Sequence, residues 1–190
     1  MKKYKVYGIG AALVDTEIKV EDRELDSMAV GKGLMTLVDQ ERQQELLGHL
    51  TDHLVKASHA SGGSAGNSMI ATAQFGGPTF MSCKVASDAD GDIYVADLEA
   101  AGVNHCLVNG REEGITGKCL VLITPDAERS MNTYLGISET LSVEQLDADA
   151  IAQEARARHY PGREIVMLNT DPIGEVGGGL HCATREVPAA

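Results

Sequence analysis

The stretch SGGSAGNSMIATAQFGG, residues 61–77, sets three glycines and an asparagine directly before a run with helical spacing, which Gly76 and Gly77 end. Glycine lacks a Cβ, so its backbone can approach a neighbour or a ligand closely. The first amides of a helix have no intrahelical partner and favour acceptors. Asn67 adds a donor and an acceptor that suit sugar hydroxyls. A chain with this pattern must turn sharply and enter a helix. A binding loop and a plain tight turn both satisfy it.

The flanking segments place that turn in a strand–helix alternation. KYKVYGIGAAL, from Lys3, reads as a strand entering a glycine turn. VDTEIKVED, from Val14, alternates apolar and polar residues as a half-exposed strand does, and is expected to form a separate flap or lid. TLVDQERQQELLGHLTDHLVKA, 36–57, carries Leu46, Leu47, Leu50, Leu54 and Val55 on one face and predicts a single helix. TFMSCKVAS (79–87) predicts a strand, DADGDIYVADLEAAGV (88–103) a turn and a helix, and NHCLVN (104–109) a short strand. GKCLVLITPDAERSMNTYL, 117–135, predicts two antiparallel strands joined at Pro125 and Asp126. SVEQLDADAIAQEARAR, 142–158, predicts a helix with Ser142 as N-cap and Gln145 in capping-box spacing, and REIVMLNTDP, 163–172, a last apolar strand. The alternation points to an α/β fold with a largely parallel sheet.

Composition narrows the function classes. The 190 residues are 43% hydrophobic, enough for a core, and the formal net charge is -12. An acidic surface repels phosphodiester backbones, so nucleic acid is not expected as a partner. No apolar stretch reaches spanning length, and Gly8, Gly10 and Asp15 interrupt the only leader-like run, so neither a membrane span nor a signal peptide is expected. The four cysteines, Cys83, Cys106, Cys119 and Cys182, show no C-x-x-C spacing and are expected as reduced thiols in a cytoplasmic protein.

The pieces GIGAALVD, GGSAGNSMIATAQFGG, KVASDADGDIYVADLEAAGVN and TGKCLVLITPDAERSMNTYLGISETLS follow one another in order across residues 4–147. In this they resemble the N-terminal half of the PfkB (ribokinase-like) carbohydrate kinase family, within its adenosine-kinase-like branch. Met69 stands where that family has a small residue, and TGKC is only similar to its TGT. The resemblance implies a small-molecule sugar or nucleoside substrate, with ATP and Mg²⁺ as cofactors. It implies that Asp15 accepts hydrogen bonds from the substrate's hydroxyls, that Gly63 and Asn67 belong to the substrate loop, and that the strand after Gly10 is part of a small β lid. Read from the residues alone, Asp15 also fits a turn and Asn67 a helix cap. The family's GAGD-type motif, which supplies the anion hole and catalytic base, does not occur in the 190 residues. There is no Walker loop either: GREEGITGKC has Glu112 and Cys119 at the two positions that matter. No metal site is expected.

Beyond about residue 158 the pattern changes. YPGREIV (160–166) and GGGLHCATREVP (177–188) resemble the C-terminal end of the agmatine deiminase family, in the guanidine-modifying superfamily. By that resemblance Cys182 matches the nucleophile that attacks a guanidinium carbon. Such chemistry also needs a base and acidic groups that clamp the cation. The family places them upstream, where this chain is kinase-like, and His181 on a strand would face away from Cys182. An inert thiol is the alternative role.

These readings combine into a chimera: residues 1–152 as a PfkB-like half and 153–190 as a deiminase-like fragment. The expected fold is α/β, a truncated ribokinase-like sheet with a small β lid and a short strand-containing C-terminal tail, in which Ile165–Asn169 pairs onto the sheet. An open sheet edge predicts self-association as a homo-oligomer. Phosphoryl transfer by these residues alone is not expected. Three weaker signals are read as structural. His49 and His53 form a solvated helix face, Lys32 sits in a turn, and DADGD is a helix start rather than a calcium loop.

Overall fold

In the computed structural model of the chain, residues 4, 6–54, 58–146 and 151 are described. The chain divides into residues 1–151 and 152–190, and the fold that follows is that of the first unit. The proposed strand Ile165–Asn169, Cys182 and most of the helix proposed for 142–158 lie outside the described residues.

Two sheets organise the unit. Strand β1 is Val6–Ile9, β2 Leu13–Lys19, β3 Met35–Leu37 and β4 Ser58–Gly62. Strand β5 is Thr79–Ser82, β6 Asn104–His105, β7 Gly117–Ile123 and β8 Arg129–Tyr134. Strands β1, β5 and β6 make a three-stranded sheet in the order β1-β5-β6, parallel throughout. The other five form a larger sheet in the order β3-β8-β7-β2-β4. The helices are α1 (Asp22–Ser27), α2 (Gln40–His49), α3 (Thr51–Leu54), α4 (Ser64–Gln74) and α5 (Ala89–Ala100). The α/β expectation holds, and the βαβ crossovers through α4 and α5 explain the parallel sheet.

The larger sheet sharpens one expectation and corrects another. VDTEIKVED does enter a sheet separate from β1-β5-β6, but as an interior strand: β2 lies antiparallel to β4 and parallel to β7. The sheet is also mixed rather than largely parallel, because the turn at Pro125–Ala127 folds β8 back antiparallel on β7. The lid-like sheet is therefore the larger of the two. Strand β2 also links two cores. Val14 packs with Met69, Met81, Tyr94 and Leu98, while Ile18 packs with Leu25, Leu46, Leu120 and Leu122.

The helix expected over 36–57 breaks at Leu50. Asp39 starts α2 by accepting from the Arg42 amide at 2.8 Å. Gly48 weakens the end of α2, and the Thr51 hydroxyl donates to the Gly48 carbonyl at 3.0 Å. Leu50 stays buried while the chain restarts as α3. His49 and His53 therefore lie on separate helices, and His53 bonds Glu24 of α1 at 3.0 Å. Helix α1 had no sequence signal, while Thr36 and Leu37, read as the start of the helix over 36–57, belong to edge strand β3, and Leu34, Met35 and Leu37 are exposed. NHCLVN forms only two strand residues before a 3₁₀ turn, Cys106–Asn109. Lys32, placed in a turn, bridges Asp22 and Asp126 at 2.6 and 2.8 Å. The Ser142–Gln145 capping box forms around a 3₁₀ turn, Val143–Gln145. Among the described residues no helix is long and apolar enough to cross a membrane.

Candidate substrate site

The site forms where β4 hands over to α4. Antiparallel pairing puts Leu13 opposite Gly62 and Asp15 opposite Ala60. The chain then turns at Gly63, whose φ of 83° and ψ of 137° suit glycine. A Cβ there would stand 2.6 Å from the Ala11 carbonyl oxygen. The Asn67 amide closes the first turn of α4 on the Gly63 carbonyl at 3.0 Å. No side chain caps this end, so the amides of residues 64–66 are left at the helix start.

The Asp15 carboxylate lies directly against the loop. A Cβ on Gly62 would fall 2.2 Å from Asp15 Oδ1, so the missing side chain is what admits the carboxylate. Asp15 is half-buried in a strand, which overturns the turn reading. Burial, and secondarily Glu17, push its pKa above the usual carboxylate value. Asn67 lies in the first turn of α4 with its side chain exposed, and Gly63 occupies the cap position. The helix-cap reading of Asn67 thus fails. The structure brings Asp15 and the Gly62–Gly63 turn together, with Asn67 one helical turn further on.

Beneath the loop sits a residue that the sequence did not mark. A Cβ on Gly66 would lie 2.3 Å from the Tyr94 hydroxyl. Tyr94 is 0% exposed, and its hydroxyl has no hydrogen-bond partner among the described residues. Burial first, then Cys83 and Asp15, push its pKa well up. An unpaired buried hydroxyl costs free energy. Tyr94→Phe is therefore expected to stabilise the fold by roughly 1 kcal/mol, read as a higher melting temperature. A lower one would mean that the hydroxyl binds a buried water.

The acidic run DADGD does start a helix. Asp88 caps α5 by accepting from the Gly91 amide at 2.8 Å, while Asp90 and Asp92 pair with Lys118 and Arg111. Among the described residues no group of three or more His, Cys, Asp or Glu is placed to hold a metal ion. The Asp15 carboxylate set against Gly62 suits a polyol and repels a phosphate. These residues thus do not fit ATP–Mg²⁺. A cleft of about 460 Å³ at the far end of β2, lined by Lys19, Glu24, His53 and Thr124 among others, contains none of the candidate site residues.

Residues 25–172 match the pfkB family carbohydrate kinases. The match runs past residue 153, where the sequence reading began a deiminase-like fragment. No curated protein matches the chain. A probable sugar kinase protein from Rhizobium etli CFN 42 is 35% identical, with a TM-score of 0.71 over 80% of this chain and 45% of its own. The adenosine kinase from Sinorhizobium meliloti is 34% identical, with a TM-score of 0.70 and the same coverage, 80% and 45%. Anopheles gambiae adenosine kinase, at 20% identity and a TM-score of 0.69 over 82% of this chain and 48% of its own, shares the fold. The chain thus spans about 45% of the length of its two bacterial relatives. With a family match over most of its length, the chain belongs to the pfkB family of carbohydrate kinases.

Proposed function

We propose that residues 1–151 are the substrate-holding half of a sugar or nucleoside kinase, with an adenosine-like nucleoside as the preferred ligand class. The observation that carries this reading is the Asp15 carboxylate set against Gly62 at the foot of α4. A carboxylate beside free helix amides offers acceptors and donors together, as vicinal ribose hydroxyls require. Asn67, exposed one turn on, is suited to a further hydroxyl. The likeness to the adenosine kinase of S. meliloti supports the nucleoside over a simple sugar. ATP and Mg²⁺ belong to the family's chemistry, and Asp15, Gly63 and Asn67 are assigned to the substrate rather than to them.

Calorimetric titration with adenosine and with ribose tests the reading. Adenosine is expected to bind, and Asp15→Ala to weaken it roughly 30-fold, the equivalent of about 2 kcal/mol for hydrogen bonds to a charged group. Equal affinity in the variant, with its melting temperature unchanged, would remove Asp15 from the site. Transfer of γ-phosphoryl from ATP to adenosine by the 190 residues alone is not expected. Exposed Met35 and Leu37 on edge strand β3, with Leu34 just before it, support self-association through that edge, which light scattering checks. Cys182 lies outside the described residues. We read it as a thiol without its base, so agmatine should give no ureido product.

A further inference from the structure

Cys83 follows β5 and Cys106 follows β6, neighbours in the parallel sheet. Their register pairs Met81 with His105, so both cysteines continue adjacent strands just past the ladder. The Cys106 sulfur lies over the Cys83 backbone. It accepts from the Cys83 amide at 3.5 Å, and its thiol donates to the Cys83 carbonyl at 3.2 Å. These two bonds hold the Cys106 sulfur against residue 83. Cys83 is 0% exposed, whereas Cys106 is only half-buried. The Cys83 thiol, followed by amide hydrogen bonds that outlast the opposing effect of burial, brings Cys106 down to about 6. The same thiol contact, with burial, pushes Cys83 up. Cys106 is therefore the more exposed sulfur and the one that loses its proton more readily, giving up its bond to the Cys83 carbonyl, while Cys83 is held beside it. Cys119 sits in the other sheet, bonded by the Thr133 hydroxyl at 3.3 Å. The two residues are 23 positions apart, so only the sheet makes them a pair.

We infer that Cys83 and Cys106 are a reactive dithiol that a small disulfide, such as oxidised glutathione, closes into an intramolecular disulfide. In the first step the Cys106 thiolate attacks one sulfur of the oxidant. A mixed disulfide forms and one glutathione thiolate leaves. In the second, the Cys83 sulfur attacks Cys106 Sγ, and its proton goes to the departing second glutathione thiolate. The protein loses two hydrogens and the oxidant gains them as two thiols. The bond would form at a structural seam. The Ser82 carbonyl accepts from the Gly10 amide at 3.3 Å, and the Lys84 carbonyl accepts from the Ser138 hydroxyl at 3.0 Å. Both ties hold the passage from β1 towards Asp15.

The test is a peptide map of the full chain after incubation with oxidised glutathione and acid quenching. The expected result is a link between the Cys83 and Cys106 peptides, with loss of two hydrogens and no retained glutathione, reversed by dithiothreitol. Cys83→Ser should stop at a stable mixed disulfide on Cys106, and Cys106→Ser should leave Cys83 unreacted. Should either variant fail to fold, the wild-type map alone decides. A stable mixed disulfide in the wild type, a link to Cys119 or Cys182, or no reaction at Cys106 overturns the inference.

Discussion

Gly63→Ala is expected to destabilise the fold by about 2–6 kcal/mol and to abolish adenosine binding. Two costs add. A non-glycine residue at φ 83° and ψ 137° is strained by roughly 1–3 kcal/mol. The new Cβ also meets the Ala11 carbonyl oxygen at 2.6 Å. That atom belongs to the backbone entering β2, so relief requires moving the strand that carries Asp15. Overpacking of this kind costs about 1–3 kcal/mol more. Gly62→Ala provides the contrast. Its φ lies outside the left-handed region, and the three atoms nearest its Cβ all belong to the Asp15 carboxylate, 2.2 Å from Oδ1 and 2.3 Å from Cγ. A flexible side chain can swing away about χ1, so Gly62→Ala should melt near the wild type yet bind adenosine as poorly as Asp15→Ala. Thermal melts and calorimetry on the two variants separate strain from displacement. A Gly63→Ala protein that melts within about 1 °C of wild type would refute the strained-turn account.

That contrast also marks what the sequence could show. The loop 62–67 and helix α4 were legible because glycine clusters and helical spacing are local signals. So was the β7–β8 hairpin, since Pro125 and Asp126 stand between two apolar runs. The neighbour of Asp15 was not legible. Gly62 reaches it through the register Leu13↔Gly62, and pairing across 49 positions leaves no mark in either segment. For the same reason β2 looked like a free flap: its alternation records one half-exposed face and says nothing of partners on both sides. Edge strand β3 misled in the opposite way, since Met35 and Leu37 point to burial yet stand exposed. Tyr94 lay in a helix predicted correctly, but its place under Gly66 depends on how α4 and α5 pack. The fold class followed from periodicity, whereas the site's second layer followed from register and packing.

Asp88→Ala is expected to cost about 2–4 kcal/mol at neutral pH. One carboxylate here joins three elements. It accepts from the Gly91 amide at 2.8 Å, from the Thr116 amide at 2.9 Å and from the Thr116 hydroxyl at 2.5 Å. Thr116 is 0% exposed, and its hydroxyl in turn accepts from the Ala86 amide at 3.0 Å. Alanine removes the α5 cap, worth about 1 kcal/mol. It also leaves the buried Thr116 amide unpaired, at about 1–3 kcal/mol. Asparagine would not repair the site, because its NH₂ group would face donors. The pH dependence has a definite sign. Burial alone would raise the Asp88 pKa, but the Thr116 hydroxyl and amide, the Gly91 amide and Lys118 together hold it below the usual value. A depressed carboxylate contributes its full stability above the unfolded value, roughly pH 4, and loses it as pH falls through the folded one. Urea unfolding should therefore show a wild-type advantage over Asp88→Ala that is constant from pH 7 to 5 and narrows steadily below about 4. An advantage that stays level down to pH 2 would mean that the helix start is held by Thr116 packing rather than by the charge on Asp88.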